Sequence, residues 1–406
     1  MRILVLSQHF APEPISKPME IARGLIKRGH TVTVLTGYPN YPGGILYPGY
    51  RMRLVERDRV DGIPVVRVML YPSHSTSAAG RIGNFFSFMI ASVWGAFFTG
   101  PCDAIYVRHP PSTIGISAWL ISLIKRAPFT YDVQDIWPES GVWSGMLRNR
   151  LLIGLVRILE KFACGRARRV LVVTEGARQN LIGKGVPPEK VSVASQLVDE
   201  HLFAAADDRR MREIREQFGF GGRFVIMFAG NIGLVQGLET VLEAAASLKD
   251  APQVLFALVG HGVNRESLSR RAEEMGLKNV LFTGQQPESE MPHFMAAADV
   301  MLLSLKYADV CEFSIPLKTF AYMAARRPII AAIKGAAADL VARAGAGPVV
   351  PPEDPEALAA AVRALLGLTA AERAKLGDAG RNYMVAHHSR EKMLDEYAAW
   401  ITQRGS

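Results

Sequence analysis

The sequence predicts an α/β protein built from two doubly wound, Rossmann-like lobes. Three observations carry this. The chain has 406 residues, 49% of them hydrophobic, with no low-complexity run, enough for two separate cores. Short β-branched runs alternate with segments of helical period in both halves, the pattern of parallel sheets covered by helices. The composition also shifts near residues 191–203, where a connector carrying Val198-Asp199 leads to the polar Asp207-Asp208-Arg209-Arg210.

In the first lobe a strand at 3–7 precedes a helix at 17–28, apolar at Met19, Ala22, Leu25 and Ile26. Gly29-His30 turns into a strand at 31–36. Further short apolar strands are predicted at 65–69, 104–107, 129–132 and 170–174, with long helices near 85–98, 112–124 and 151–164. In the second lobe an apolar run from Phe224 ends in Gly230-Asn231-Ile232-Gly233 and Gln236-Gly237. A helical pattern then starts at Leu238, with Val241, Leu242, Ala245 and Leu248 on one side. Strand, glycine turn and helix form the geometry in which free backbone N–H groups receive phosphate oxygens. Strands at 254–259, running into Gly260-His261-Gly262, at 280–283, at 299–304 and at 328–333 follow, with a helix at 316–325. Residues 390–403 read as a helix with Met393, Leu394, Tyr397 and Trp400 on one stripe.

Composition narrows the function. Cys102, Cys164 and Cys311 are few and widely spaced, which suits a reducing cytosol and gives neither a disulfide framework nor a zinc pattern. Met1-Arg2-Ile3-Leu4-Val5-Leu6 reads as a buried strand rather than a signal peptide. The net charge of +9 is uneven: residues 1–190 hold 24 Lys and Arg against 12 Asp and Glu, the remainder 23 against 26. The first lobe is therefore expected to face something anionic, or to carry arginine for solubility. No helix-turn-helix, zinc-finger or RNP pattern speaks for nucleic acid, so an anionic membrane surface or phosphate-linked lipid is the preferred partner.

Several motifs occur in a recognisable order: Gly230-Asn231-Ile232-Gly233 with Gln236-Gly237, Val259-Gly260-His261-Gly262, 279–284, Ala298-Asp299-Val300, and 318–324. In this order they resemble the C-terminal half of a GT-B glycosyltransferase of family four, the large retaining group. Upstream, Tyr38-Pro39-Asn40-Tyr41-Pro42, Tyr47-Pro48-Gly49-Tyr50 and 132–140 are similar to a branch that builds O-antigen and capsular polysaccharide, often by transferring acetamido sugars. The likeness covers nearly the whole chain. It implies an acceptor-binding lobe over 1–195, a nucleotide-sugar lobe over 196–385, and a final segment, 386–406, crossing back onto the first lobe. The ligands are expected in a cleft where the two sets of strand C-termini meet.

Retaining transfer in this family is read as front-face departure of the nucleoside diphosphate, whose oxygen takes the acceptor's proton. The protein then supplies orientation and positive potential or N–H donors around the leaving diphosphate. Related chains place an arginine and a lysine on the first loop of the C-terminal lobe, where this one has Asn231 and Gln236. The expected replacement is Lys318, early in the helix after Pro316, where the helix dipole favours an anion; its alternative is an ordinary solvated lysine. Gly230, Gly233, Gly260, Gly262 and Thr319 complete the expected donor site. Arg265 at the third glycine position excludes a full dinucleotide fingerprint, so the Gly260 loop is read as admitting a nucleotide base. Glu312 stands where the family's first glutamate touches the transferred sugar, while the second, on the ribose, falls on Ala321.

In the first lobe, Arg108 and His109 follow a strand and are candidates for pairing with phosphate and orienting a hydroxyl. Asp135 is the candidate for acceptor binding or proton movement, Glu139 for the same loop or a cap, and Trp137 for stacking on a sugar. Lys17, at a helix start, is a candidate phosphate contact, although Ile15-Ser16 replaces the family's glycine pair. Residues 85–98 are apolar nearly all round but shorter than the roughly 20 residues that span a bilayer. A core helix and a helix dipping into lipid headgroups both remain open.

The leading expectation is a retaining, metal-independent transferase that needs no cofactor. It would move a sugar from a nucleotide donor, UDP-linked by preference, to a glycan or isoprenoid-lipid-linked acceptor. Its place would be the cytoplasm, peripheral on the inner face of the membrane. A sugar-nucleotide-binding or scaffold protein without turnover is the alternative, motivated by Asn231, Gln236 and Ala321. A GT-B epimerase would need a glutamate pair that the sequence does not offer.

Overall fold

The computed structural model describes residues 1–73, 78–143, 145–201 and 207–403. The chain divides into two units, Val198–Arg390 and the remainder, which joins Met1–Leu197 to the helix from Glu391 onward.

The first unit holds β1 (Arg2–Leu6), α1 (Lys17–Lys27), β2 (Thr31–Gly37), β3 (Val55–Val60), β4 (Ile63–Val68), α2 (Ala78–Ala96) and β5 (Ala104–His109). It continues with α3 (Ile114–Lys125), β6 (Phe129–Val133), α4 (Glu139–Trp143), α5 (Arg150–Arg166), β7 (Arg169–Val172), α6 (Glu175–Gly183) and β8 (Val191–Val193). Its sheet runs β3-β4-β2-β1-β5-β6-β7-β8, parallel except for the β3–β4 hairpin. Four of the five residues of β1 and all five of β6 are buried, as parallel strands covered on both faces must be. The chain reverses direction across the sheet at β1, which pairs with both β2 and β5.

The second unit holds α7 (Asp208–Gln217), β9 (Phe224–Ala229), α8 (Leu238–Ala246), β10 (Val254–Val259), α9 (Arg265–Glu274) and β11 (Val280–Gly284). Then come α10 (Met291–Ala297), β12 (Val300–Ser304), α11 (Leu317–Ala324), β13 (Ile329–Ala332), α12 (Ala336–Ala344), β14 (Val349–Val350), α13 (Pro355–Gly367) and α14 (Ala370–His388). Its all-parallel sheet, β11-β10-β9-β12-β13-β14, reverses between β9 and β12. Helix starts are set locally: the Asp354 carboxylate accepts from Ala357 N at 2.8 Å, and Thr369 with Glu372 forms a reciprocal capping box.

The last helix, α15 (Arg390–Thr402), packs on the first unit's sheet. Met393, Leu394, Tyr397 and Ile401 are buried against β1 and α1, and Leu394 fills the space beside Gly24. Trp400, expected on the same stripe, is only partly buried. Arg28 secures the helix from outside through Glu391 and Asp395.

Three details differ from the sequence reading. The helix expected at 85–98 starts at Ala78 and stops at Ala96, so Phe97 and Phe98 lie in the turn beyond it. β5 extends two residues past its expected end, which makes Arg108 and His109 strand residues. β3 was missed because Val55-Glu56-Arg57-Asp58-Arg59-Val60 is a polar edge strand with no apolar run to mark it. The expected connector reaches Phe203, which lies outside the described residues.

Candidate active site

In the second unit the sheet's reversal point lies at the end of β9, and there the fully buried strand ends at Gly230. The turn is held by its neighbour: Gly230 N donates to Val259 O at 2.9 Å, and Ile232 N to His261 O at 2.9 Å. These two amides are therefore spent on structure. Two glycines make the close approach possible. A Cβ on Gly260, at φ +142°, would meet Gly230 O, and one on Gly262 would stand 2.4 Å from Ile232 O. A cavity of about 480 Å³ opens beside this double turn, reached by Asn231, His261, Gln285, Gln286, Met291 and Met295 among others. It combines exposed backbone, amide side chains and thioethers, a lining suited to a flat heteroaromatic group.

Lys318 enters from the second position of α11. Its ammonium lies 4.0 Å over the Phe228 ring, donates to Gln236 Oε1 at 3.0 Å, and abuts Gly230. The side chain is half-buried, and desolvation pushes its pKa down to about 7. Lys318 thus has protein neighbours at its ammonium rather than solvent alone. Gln236 is itself fixed, its backbone oxygen accepting from Ser304 Oγ at 2.7 Å. Glu239 anchors the next helix by accepting from Asn264 Nδ2 at 2.8 Å. Thr319, expected in the same site, is fully buried in the first turn of α11, and its hydroxyl has no hydrogen-bond partner among the described residues. Ala321 is also buried. Glu312 ends a 3-10 turn and is exposed; Gly335 packs against the backbone at Cys311 and Glu312.

In the first unit polar groups gather at the C-terminal ends of β1, β5 and β6. Lys17 ion-pairs with Asp132 at 3.1 Å and sits 5.0 Å over the Tyr397 ring. Burial lowers its pKa and Asp132 opposes that. Asp132 also accepts from Tyr106 Oη and, at 2.6 Å, from Gln134 Nε2. Lys17 is therefore a buried structural cation with its partner in place, not an open phosphate contact. Arg108 is half-buried on β5, and its Nε has no protein partner among the described residues. His109 is buried, with Nε2 3.3 Å from Ser112 Oγ and Nδ1 unpartnered. Burial, then Arg108, pushes its pKa down to about 3, so the imidazole is neutral and a weak base. Asp135 is exposed; desolvation raises its pKa and Arg108 lowers it.

Trp137 is half-buried, with one ring edge packed on Gly141. Glu139 pairs with Lys184 at 2.9 Å, and Lys184 pairs with buried Glu160 at 2.6 Å. Burial raises Glu160 to about 6 against the pull of Lys184. This cluster braces the 137–139 loop rather than offering a free carboxylate. One residue the sequence reading passed over is Glu13. Its carboxylate accepts from Phe10 N at 3.0 Å, Asn40 N at 2.9 Å and Tyr41 N at 2.8 Å, and lies 3.3 Å from His9 Nδ1. It thereby ties the loop after β1 to the tyrosine–proline loop after β2. A lone acid between Pro12 and Pro14 was its only sequence signal.

Residues 210–383 match the family described as Glycosyl transferases group 1, and residues 18–195 match the Glycosyl transferase 4-like domain. A GDP-mannose-dependent α-(1-6)-phosphatidylinositol monomannoside mannosyltransferase of Mycolicibacterium smegmatis is 30% identical over 68% of this chain and 78% of that one. A protein of Escherichia coli K12 named as a colanic acid biosynthesis glycosyl transferase is 27% identical over 75% of this chain and 77% of its own. A 2-deoxystreptamine glucosyltransferase of Streptomyces kanamyceticus is 28% identical over 93% and 97%. Among solved structures, Anabaena HepE in complex with UDP and glucose superposes with a TM-score of 0.74, at 19% identity over the full length of both chains. WaaG, a glycosyltransferase involved in lipopolysaccharide biosynthesis, gives 0.68 at 18% identity, also over both full lengths. These two structural likenesses establish the fold.

Proposed function

The chain belongs to family four of the GT-B glycosyltransferases, and from that premise we propose a retaining, metal-independent transfer from a UDP-sugar to a lipid-linked or glycan acceptor of an envelope polysaccharide. The observation that carries the donor half is the single enclosed ammonium of Lys318 at the Gly230 turn, beside a cavity sized for a nucleotide. Asn231 and Gln236 are neutral, so Lys318 is the cation we assign to the leaving diphosphate. Glu312, exposed at the end of its turn, is assigned to the sugar. In the transfer the bond from the anomeric carbon to the diphosphate breaks, the acceptor oxygen bonds on the same face, and its proton passes to the departing phosphate oxygen.

On the first unit Arg108, neutral His109 and Asp135 are assigned to the acceptor. His109 would orient a hydroxyl rather than take its proton, and Arg108 would meet a phosphate. UDP and UDP-glucose complexes among fold relatives support the uridine reading, while the mannosyltransferase relative makes GDP the donor to test against it. An acceptor on an isoprenoid phosphate would place the reaction at the inner face of the cytoplasmic membrane.

A thermal-shift panel of UDP-, GDP-, ADP- and dTDP-sugars tests the donor. At about 100 times Kd a ligand stabilises by about 2.7 kcal/mol, an easily read shift. Any positive donor then goes into hydrolysis and transfer assays. Binding with no turnover on any acceptor would replace the transferase by the sugar-nucleotide-binding scaffold.

A further inference from the structure

The first unit carries an apolar face that the transfer reaction does not use. In α2 two stripes run on opposite sides. Asn84, Phe88, Ser92 and Ala96 are buried, whereas Ile82, Phe86, Ile90 and Trp94 are exposed. Spacing by four keeps each set on one side of the helix. Ile90 is 67% exposed, Trp94 57%, and Phe97 beyond the helix end 61%. α3 lies between α2 and α5: Ser117 Oγ donates to Met89 O at 3.2 Å, Gly115 closes on Ala163, and Trp119 meets the Phe162 ring at 5.3 Å. Leu123 on α3 and Leu151, Leu155 and Ile158 on α5 are exposed as well. Between α2 and α3 the surface dips into an apolar hollow of about 320 Å³ lined by Met89, Ile90, Val93, Trp94, Phe97 and Leu120.

Among the described residues the exposed charges carried by these three helices have one sign. Arg150, Arg157, Lys161 and Arg166 project from α5, and Lys125 and Arg126 close α3. The three helices contain one carboxylate, Glu160, which is buried and paired with Lys184. A second copy of this chain docked through the same face would bring like charges together with no acid to meet them. An anionic bilayer supplies both complements, apolar chains for the stripe and phosphates for the basic rim. Trp94 with Phe97 and Phe98, ring centroids 6.0 and 6.1 Å from its own, has the amphipathic aromatic chemistry that settles at headgroup level. Among the described residues no helix is long and apolar enough to cross a membrane, so the face would lie on the bilayer.

We propose that the exposed surface of α2, α3 and α5 docks on an anionic phospholipid membrane, with Ile90, Trp94 and Phe97 inserted and Arg150, Arg157, Lys161 and Arg166 on the phosphates. This extends the reading of a lipid-linked acceptor, and its test requires no turnover, so the two fail separately. The full chain is sedimented with vesicles of phosphatidylcholine alone and with added phosphatidylglycerol. Binding is expected only to the anionic vesicles, and it should weaken as salt shortens the screening length from about 30 Å at 0.01 M to about 3 Å at 1 M. Arg157→Gln with Lys161→Gln should lower the partition coefficient roughly 30-fold, the loss expected from two basic side chains near an anionic leaflet. Ile90→Glu with Trp94→Glu should abolish sedimentation while UDP still raises the melting temperature as in the parent, which shows an intact fold. Lys318→Ala should sediment like the parent. Failure of the folded parent to sediment with anionic vesicles overturns the proposal. So does concentration-dependent self-association that Ile90→Glu removes, since that gives the face to a second copy.

Discussion

Replacing Lys318 by methionine should make the ligand-free protein more stable and the donor complex weaker. Methionine keeps the stem that packs on Phe228 and removes the enclosed charge. The folded pKa of about 7 against 10.5 for a free lysine corresponds to about 5 kcal/mol opposing the ammonium at low pH, at about 1.4 kcal/mol per unit. The lost bond to Gln236 and the lost contact with the ring return about 1–3 kcal/mol. A net gain of about 2–4 kcal/mol at pH 6 follows, or roughly 4–16 °C in the melting temperature of a unit this size. The pH dependence has a definite sign. Between about 7 and 10.5 the unfolded chain holds a proton that the folded one lacks, so this lysine's contribution grows with pH there and is lost as pH falls through about 7. The stabilising effect of methionine should therefore shrink from pH 6 towards pH 10. Binding runs the other way. A diphosphate pairs with the ammonium, so UDP affinity of the parent should fall as pH rises above about 7, and that slope should vanish in the variant. Loss of one charge-assisted bond, about 1.5–3 kcal/mol, predicts roughly 10- to 150-fold weaker UDP binding with uridine unaffected. Calorimetric titration and thermal unfolding on the same samples read both. A variant that melts no higher at pH 6 and binds UDP like the parent would refute the assignment of Lys318 to the diphosphate.

Glu312→Gln should lower kcat more than it weakens UDP binding, as steady-state kinetics beside calorimetry will show; equal losses would move Glu312 off the sugar. Gly262→Ala places a methyl within 2.5 Å of both Ile232 O and Asn231 Oδ1, so it should cost about 1–3 kcal/mol and abolish donor binding, measured by urea unfolding and UDP titration. Lys184→Met leaves the buried Glu160 carboxylate without its cation; unfolding at pH 8 should show a loss of about 3–5 kcal/mol that narrows as pH falls towards about 6, because without Lys184 Glu160 takes up its proton at a higher pH than in the parent. Transfer should survive excess chelator, and magnesium-dependent recovery of lost activity would sink the metal-independent reading.

The sequence disclosed what depends on local pattern. The burial of β9 and β10, their glycine turns and the start of α11 follow from apolar runs, glycines and Pro316, and all were placed within a few residues. What depends on distant partners was hidden. Lys318 was found by its helix position, but its enclosure needs Phe228 and Gln236, from a distant stretch of the same unit. The same is true of Lys17, whose partner Asp132 arrives from another strand and turns a candidate phosphate ligand into part of the core. Thr319 is a further case: nothing in its sequence position marks it as fully buried, and its neighbours enclose it. Apolarity alone could not say which side of α2 faces water, because both sides are apolar; neighbours decided that.

The placement of α15 separates the order in which this protein is made from the order in which its parts can be finished. Met393, Leu394, Tyr397 and Ile401 complete a core begun by Ile3, Val5 and Met19, so these early residues wait for partners made almost 400 residues later. At roughly 5–20 residues per second, the stretch between Leu197 and Glu391 represents about 10–40 s of synthesis. Throughout that interval β1 and α1 lack their cover, and at its end Val198–Arg390 contains every strand of its own sheet. The nascent chain therefore has reason to mature from Val198–Arg390 outward, and truncation before Met393 would damage the unit of Met1–Leu197 first.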